Sequence, residues 1–203
     1  MNYRIAVAVS GRGSNLEALG NALPSAGPAR IVAVLADRDA AALSLANARG
    51  WPAHQLDRWS DPAEWLAILS AAEADLLVLA GYLRLVPPEV VAAMPGRIIN
   101  IHPALLPRHG GPGMYGRRVH QAVLDAGDAE RGATVHLVDE VYDRGAILGQ
   151  GRVVVLPGDT ADTLAARGLE VEHRLLPAAV LAAQAAGHPV PFTLHDGPTA
   201  ATE

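Results

Sequence analysis

Apolar runs too short for membrane spans, separated by helix-type segments, constrain this chain more than any other feature. Residues 3–9, 31–36, 76–80 and 97–101 are rich in Val, Ile, Leu and Ala and show no sustained polar alternation. A strand of that kind is buried on both faces. Between them, residues 15–23, 40–49, 61–72 and a short stretch after Pro87-Pro88 read as helices, and 52–56 reads as a further short strand. Gly50 stands just past one helix end, and Asp61-Pro62 supplies an N-cap with proline in the first turn. Strand and helix in alternation predict a parallel sheet built with right-handed crossovers. Half of the residues are hydrophobic but only 4% are aromatic, so the core must come from Ala, Val, Leu and Ile.

The alternation ends at a Pro/Gly-rich loop. A helix is expected over 115–124, then strands over 134–138 and 146–156, close enough in sequence to pair antiparallel. Asp159-Thr160 caps a long helix running to about residue 186. The expected fold is α/β: one doubly wound, mainly parallel sheet with helices on both faces, a C-terminal antiparallel hairpin and a long helix. Residues 1–186 form the domain, and the Pro/Gly-rich 187–203 are expected to be a loosely ordered tail. A length of 203 residues suits one such domain.

Several classes drop out. A net charge of −5 argues against a nucleic-acid or membrane surface, which are usually basic. The absence of cysteine excludes disulfides, thiolate metal sites and a cysteine nucleophile. No apolar run reaches the roughly 18 residues of a membrane span, and no signal peptide precedes the first strand, so a cytoplasmic protein is expected. Eight histidines occur, but none in His-Glu-x-x-His spacing, and no metal site is expected. No Gly-x-Ser-x-Gly elbow is present.

Two segments carry chemistry. Ser10-Gly11-Arg12-Gly13-Ser14-Asn15 joins the first strand to the first helix. Its glycines admit close backbone approach, and the helix start favours an anion. It lacks the Gly-Lys-Ser/Thr ending of a P-loop, and Leu16 stands where the dinucleotide fingerprint needs glycine. Asp37 at the end of the second strand keeps a dinucleotide reading open, and a plain tight turn is open too. In Asn100-Ile101-His102-Pro103, strand alternation points Asn100 and His102 to one face at the strand's C-terminal end. An amide donor beside an imidazole suits acyl transfer: one stabilises an oxyanion, the other moves a proton near neutral pH. The acidic turn Asp139-Glu140-Val141-Tyr142-Asp143-Arg144-Gly145 offers a carboxylate to orient His102, or is simply a solvated turn.

These pieces coincide with a known family. The chain resembles phosphoribosylglycinamide formyltransferases in Ser10-Gly11-Arg12-Gly13-Ser14-Asn15-Leu16, Leu79-Ala80-Gly81-Tyr82-Leu83-Arg84, Asn100-Ile101-His102-Pro103-Ala104-Leu105-Leu106-Pro107, Thr134-Val135-His136 with Asp143, and Glu172-His173. The segments fall in the family's order over about residues 3 to 180. The resemblance implies a catalytic trio of Asn100, His102 and Asp143. It implies that Gly13, Ser14 and Asn15 hold the 5′-phosphate of a glycinamide ribonucleotide, with Leu169, Glu170, Val171 and Glu172 contacting that ribonucleotide. It implies a folate pocket of Leu83, Arg84, Leu85 and Val86, with Asn100 and the turn Asp139, Glu140, Val141, Tyr142 and Asp143 closing over the pterin.

The implied co-substrate is 10-formyltetrahydrofolate, with protonated His102 and Asn100 sharing the oxyanion and Asp143 keeping His102 charged. No metal is implied. Two features depart from the family pattern: the loop 108–116 is longer and richer in glycine, and Arg58 is the one candidate to meet the folate tail. Arg12 adds charge to the phosphate loop. Rival readings are formyltetrahydrofolate deformylase, methionyl-tRNA formyltransferase and a nucleotide-binding module without catalysis. A core beginning at residue 3 and an acidic chain disfavour the first two. A monomer and a homodimer are both compatible with the sequence.

Overall fold

The computed structural model describes residues 2–24 and 26–194. In chain order the elements are β1 (Tyr3–Val9), α1 (Ser14–Ala22), β2 (Ala29–Ala36), α2 (Ala41–Ala48), β3 (Ala53–Gln55), α3 (Pro62–Ala71), β4 (Leu76–Leu79) and α4 (Pro88–Ala93). Then follow β5 (Ile98–His102), α5 (Arg117–Asp125), β6 (Glu130–Leu137), β7 (Ile147–Val154) and α6 (Ala161–Ala186). The strands lie side by side in the order β3-β2-β1-β4-β5-β6-β7. Pairings among β1 to β5 are parallel, while β6 runs antiparallel to β5 and β7 antiparallel to β6.

Alternation along β1 sorts the core into two layers. Ile5, Val7 and Val9 face α1, α2 and α6, whose Leu16, Leu19, Ala42, Ala46, Leu175 and Val180 are buried there. Ala6 and Ala8 face the other way, toward Trp65 and Leu69 of α3 and Val90 of α4. Small residues on that second face leave room for the large ones: Trp65 is fully buried and meets Tyr82 edge-to-face, with ring centroids 5.4 Å apart. Asp61 caps α3 by accepting from the Ala63 N–H at 3.0 Å. Thr160 and Thr163 form a reciprocal capping box on α6.

Two boundaries differ from the sequence expectation. β6 begins at Glu130 rather than 134, because Glu130, Arg131, Gly132 and Ala133 continue the ladder with β7 although two of them are charged. The expected loose tail is not loose through its described part. Phe192 donates its N–H to the Leu148 carbonyl at 2.9 Å, and Phe192 and Leu194 pack on the core. Glycine makes that docking possible, since a Cβ at Gly149 would stand 2.6 Å from the Phe192 ring. Residues 195–203, the remainder of that tail, lie outside the described residues.

The order of strands also places the site. Chain order reverses between β1 and β4, and in open α/β sheets ligands bind at the C-terminal ends of strands beside that reversal. The loops after β1 and β4 and the end of β5 all open there. Trp65 is the largest fully buried side chain under this edge, so Trp65→Ala is expected to cost roughly 3–5 kcal/mol of stability. Urea unfolding would measure it, and a loss below about 1 kcal/mol would mean that the layer repacks around the gap.

Candidate functional site

A cavity of about 790 Å³ lies across the C-terminal ends of β1, β4 and β5. That is ample for a drug-sized ligand. Gly13, Ser14 and Asn15 form one end of it. Gly13 adopts φ 84°, and a Cβ there would also lie 2.8 Å from Ala42 Cβ, so only glycine can open α1 in this way. No side chain caps α1. Its first-turn N–H groups therefore remain available at the cavity wall, beside exposed Arg12.

On α6, Leu169 and Glu172 line the same end. Glu170 and Val171 do not: Glu170 is exposed and Val171 is buried in the core. Successive helical residues step about 100°, so four in a row cannot share one wall. Leu83, Arg84, Leu85 and Val86 also line the cavity, as do Asp139, Val141, Tyr142 and Asp143, and the Leu83 N–H donates to Ser10 Oγ at 2.9 Å. The Glu140 side chain is exposed and stays out of the lining. The turn is shaped by Asp139, which accepts the Val141 N–H at 2.8 Å. Arg58 is absent from the cavity wall and pairs with Asp61 at 2.7 Å, its side chain 77% exposed. Asp37, the support for a dinucleotide reading, is consumed by Arg38 at 2.6 Å and Arg84 at 3.3 Å, with its side chain 1% exposed. Arg84 in turn stacks over Trp59, 5.2 Å from the ring centre.

Asn100, His102 and Asp143 do converge. Asn100 and His102 lie on the β5 face shared by Ile98, as alternation requires, while Ile99 and Ile101 enter the opposite core layer. His102 Nδ1 is 3.5 Å from Asp143 Oδ2. His102 Nε2 lies 2.8 Å from the His109 carbonyl, which can only accept, so Nε2 carries the proton. Asp143 also accepts the Gly111 N–H at 2.8 Å and sits 3.5 Å from His136 Nε2. Its backbone takes φ 56°, a left-handed conformation uncommon outside glycine and found at sites where geometry is imposed. His136 Nδ1 donates to the Leu137 carbonyl at 2.7 Å. That leaves Nε2 as the acceptor for the Asn100 amide, 3.1 Å away.

Burial holds His102 below its ordinary basicity, against the opposing pull of Asp143 and the His109 carbonyl. Burial alone would raise the Asp143 carboxyl, but it lies below the usual carboxylate range, and the Gly111 N–H that it accepts favours the ionised form. The resting pair is thus a neutral imidazole against an ionised carboxylate.

Sequence reasoning gave no role to four residues that this geometry includes. His136 enters by register, since β5–β6 pairing sets it opposite Asn100. His109 and Gly111 enter through loop 108–116, which His109 and Arg108 anchor to Asp128. His120 of α5 lines the cavity, and its buried Nδ1 has no partner. The signal for His136 lay in strand parity once the hairpin was known. Nothing local in sequence pointed to the others.

Burial, reinforced by the charge of Arg131, lowers His120 from 6.5 to about 4. The unfolded chain therefore binds a proton that the folded chain refuses, and stability present above about pH 6.5 should fall as pH drops toward 4. His102 and His173 act in the same direction. Thermal melting from pH 7.5 to 4.5 should show the decline, and His120→Gln should flatten it. An unchanged slope in the variant would mean that His120 is not held neutral.

The formyl transferase family model matches residues 3–180 of the chain. The phosphoribosylglycinamide formyltransferase of Mycobacterium tuberculosis (strain H37Rv) is 41% identical over 188 residues, covering 88% of this chain and 84% of that protein. The chloroplastic phosphoribosylglycinamide formyltransferase of Arabidopsis thaliana is 40% identical over 181 residues, 85% of this chain. The chain spans 62% of the length of that plant protein and 58% of its Vigna unguiculata counterpart. The crystal structure of the phosphoribosylglycinamide formyltransferase from Brucella melitensis superposes with a TM-score of 0.79 at 44% identity, covering 91% of this chain and 95% of that one.

Proposed function

This chain belongs to the formyl transferase family, and we propose that it transfers the formyl group of 10-formyltetrahydrofolate to the amine of a glycinamide ribonucleotide, a step of purine biosynthesis. The observation that carries the reading is that Asn100 and a His102–Asp143 pair 3.5 Å apart line one cavity together with a phosphate-type loop and the loop 83–86. The ribonucleotide phosphate meets the open N–H groups of Ser14 and Asn15. The folate ring lies between the loop 83–86 and the turn at Asp139, Val141 and Tyr142. Those two ends bring the amine and the formyl carbon together over Asn100.

The amine attacks the formyl carbon, and the carbonyl electrons move onto oxygen. Asn100 is set to receive that charge, because His136 fixes its amide with one N–H engaged and the other free. The His102 Nε2–H, held by the His109 carbonyl at rest, is the second donor and exchanges that carbonyl for the oxyanion. The proton released by the attacking amine passes to the His102–Asp143 pair, which titrates as a unit. It returns to the folate nitrogen as the carbon–nitrogen bond to the donor breaks. The products are the formylated ribonucleotide and tetrahydrofolate, so atoms and charge balance. A resting neutral His102 suits this cycle, since it has a site for the proton that the reaction generates.

Release of tetrahydrofolate, followed with both substrates present, tests the reading. Turnover should require the ribonucleotide and should collapse in His102→Ala. Asn100→Ala should lower kcat by about a hundredfold or more, the usual loss for one oxyanion donor. Near-normal turnover in Asn100→Ala would remove the assigned role. Folate release without the ribonucleotide would point to a deformylase instead.

A further inference from the structure

Arg131 stands where sequence gives no reason for a cation. It lies on β6, is 1% exposed, and sends its guanidinium under the α6 side of the cavity. Nη1 donates to the Leu164 carbonyl at 2.7 Å, and Nη2 donates to the carbonyls of Pro103 at 3.1 Å and Gly132 at 3.2 Å. One carboxylate lies within ion-pair reach, Glu172 Oε1 at 3.9 Å. The other oxygen of Glu172 accepts the Asn15 amide at 2.9 Å. A second, independent feature shows that the space is reserved. Gly168 sits inside α6, where glycine weakens a helix relative to alanine. A Cβ there would stand 2.0 Å from Arg131 Nη1, 2.1 Å from Cζ and 2.2 Å from Nη2. The helix carries a weak residue at the one place where the guanidinium must pass.

We infer that Arg131 is a positioning residue for ribonucleotide binding: seated in the gap left by Gly168, it holds the Glu172 carboxyl in place at the cavity wall as an acceptor for the sugar hydroxyls. This rests on reading the α6 end of the cavity as the ribonucleotide end. Burial raises the Glu172 carboxyl above its usual range, and Asn15 and Arg131 hold that rise back. A neutral Glu172 would lose an acceptor and present a donor in its place. Arg131 also ties Pro103, the residue after His102, to α6, so the sugar end and the catalytic strand end share one anchor. Arg131 touches neither substrate in this arrangement and acts through Glu172.

Gly168→Ala is the informative variant, because it leaves every cavity-lining side chain in place and raises helix propensity while displacing the guanidinium. Arg131→Met and Arg131→Lys complete the set. Two readouts are needed: the KM of each substrate, and the titration of the Glu172 carboxyl by carbon NMR on glutamate-labelled protein. In Gly168→Ala and Arg131→Met the Glu172 midpoint should rise by about one pH unit or more, and the ribonucleotide KM by about tenfold, with the folate KM and kcat within about threefold. Arg131→Lys should fall between these variants and wild type. A purely structural role predicts both KM values rising together and an unmoved Glu172 midpoint, and either result in folded protein overturns the inference. If wild type shows no turnover with the ribonucleotide while the Glu172 midpoint moves as expected, the functional reading fails and the Arg131–Glu172 coupling stands. Should Arg131→Met not fold, Gly168→Ala and Arg131→Lys decide the matter by the same measurements.

Discussion

Right-handed crossovers on a twisted parallel sheet force the chain to reverse its strand order if both faces are to be covered, and that reversal between β1 and β4 is what the rest of this molecule is arranged around. Two loops leave the sheet in opposite directions at that point and open a crevice that packing cannot fill. The helix after β1 begins there with uncapped N–H groups, and the loop after β4 supplies an apolar wall. β5 lies next to β4, so its last residues end at the crevice floor. The antiparallel hairpin then covers β5, and its turn reaches back over the opening with Asp143.

Burial is the second organising constraint. His102, His136, Thr134, Asn15, Glu172 and Arg131 are all buried polar groups in a core made mostly of Ala, Val, Leu and Ile. Each would cost a few kcal/mol if left without a partner, so each must be tied to something. Thr134 shows how tightly: its hydroxyl donates to the Ala104 carbonyl at 2.6 Å and accepts from the Leu106 N–H and from Gln150. That one side chain fixes the loop which follows His102. The same low dielectric that makes these groups costly also strengthens the fields they exert, which is what a developing oxyanion needs.

How much of this was legible in the sequence follows from the range of the interactions concerned. β1, β2, β4 and the start of β5 could be read because uninterrupted apolar runs report burial on both faces, which the short, half-exposed β3 does not have. The shared face of Asn100 and His102 could be read because strand parity is local. Membership of Glu170 and Val171 in the site could have been refused on helical spacing alone, since 169 and 172 share a wall and the two residues between them turn away. The start of β6 was not legible, because a charged Arg131 does not look like a core strand residue until the three carbonyls that receive it are known. The docking of Phe192 depended on Gly149, and that of Leu194 on Gly151, whose missing side chains mean nothing until another segment is seen to fill the space. Asp143 reaching His102 spans 41 residues and a β-hairpin, a contact that only register can decide.

The loop 108–116 has a different balance from the elements around it. Its start is fastened: Arg108 and His109 both engage Asp128, the His109 carbonyl receives His102, and Gly111 donates to Asp143. Beyond that point Gly111, Gly113 and Gly116 all take positive φ, and Tyr115 is exposed under Arg118. The fastened part holds the His102 imidazole by a bond that the oxyanion of the proposed reaction would replace. The glycine-rich part gives the backbone the conformational freedom to follow that replacement without straining Asp128. In the proposed reaction, donor geometry and loop position are therefore one equilibrium, because the same His102 N–H cannot serve the His109 carbonyl and the substrate at once.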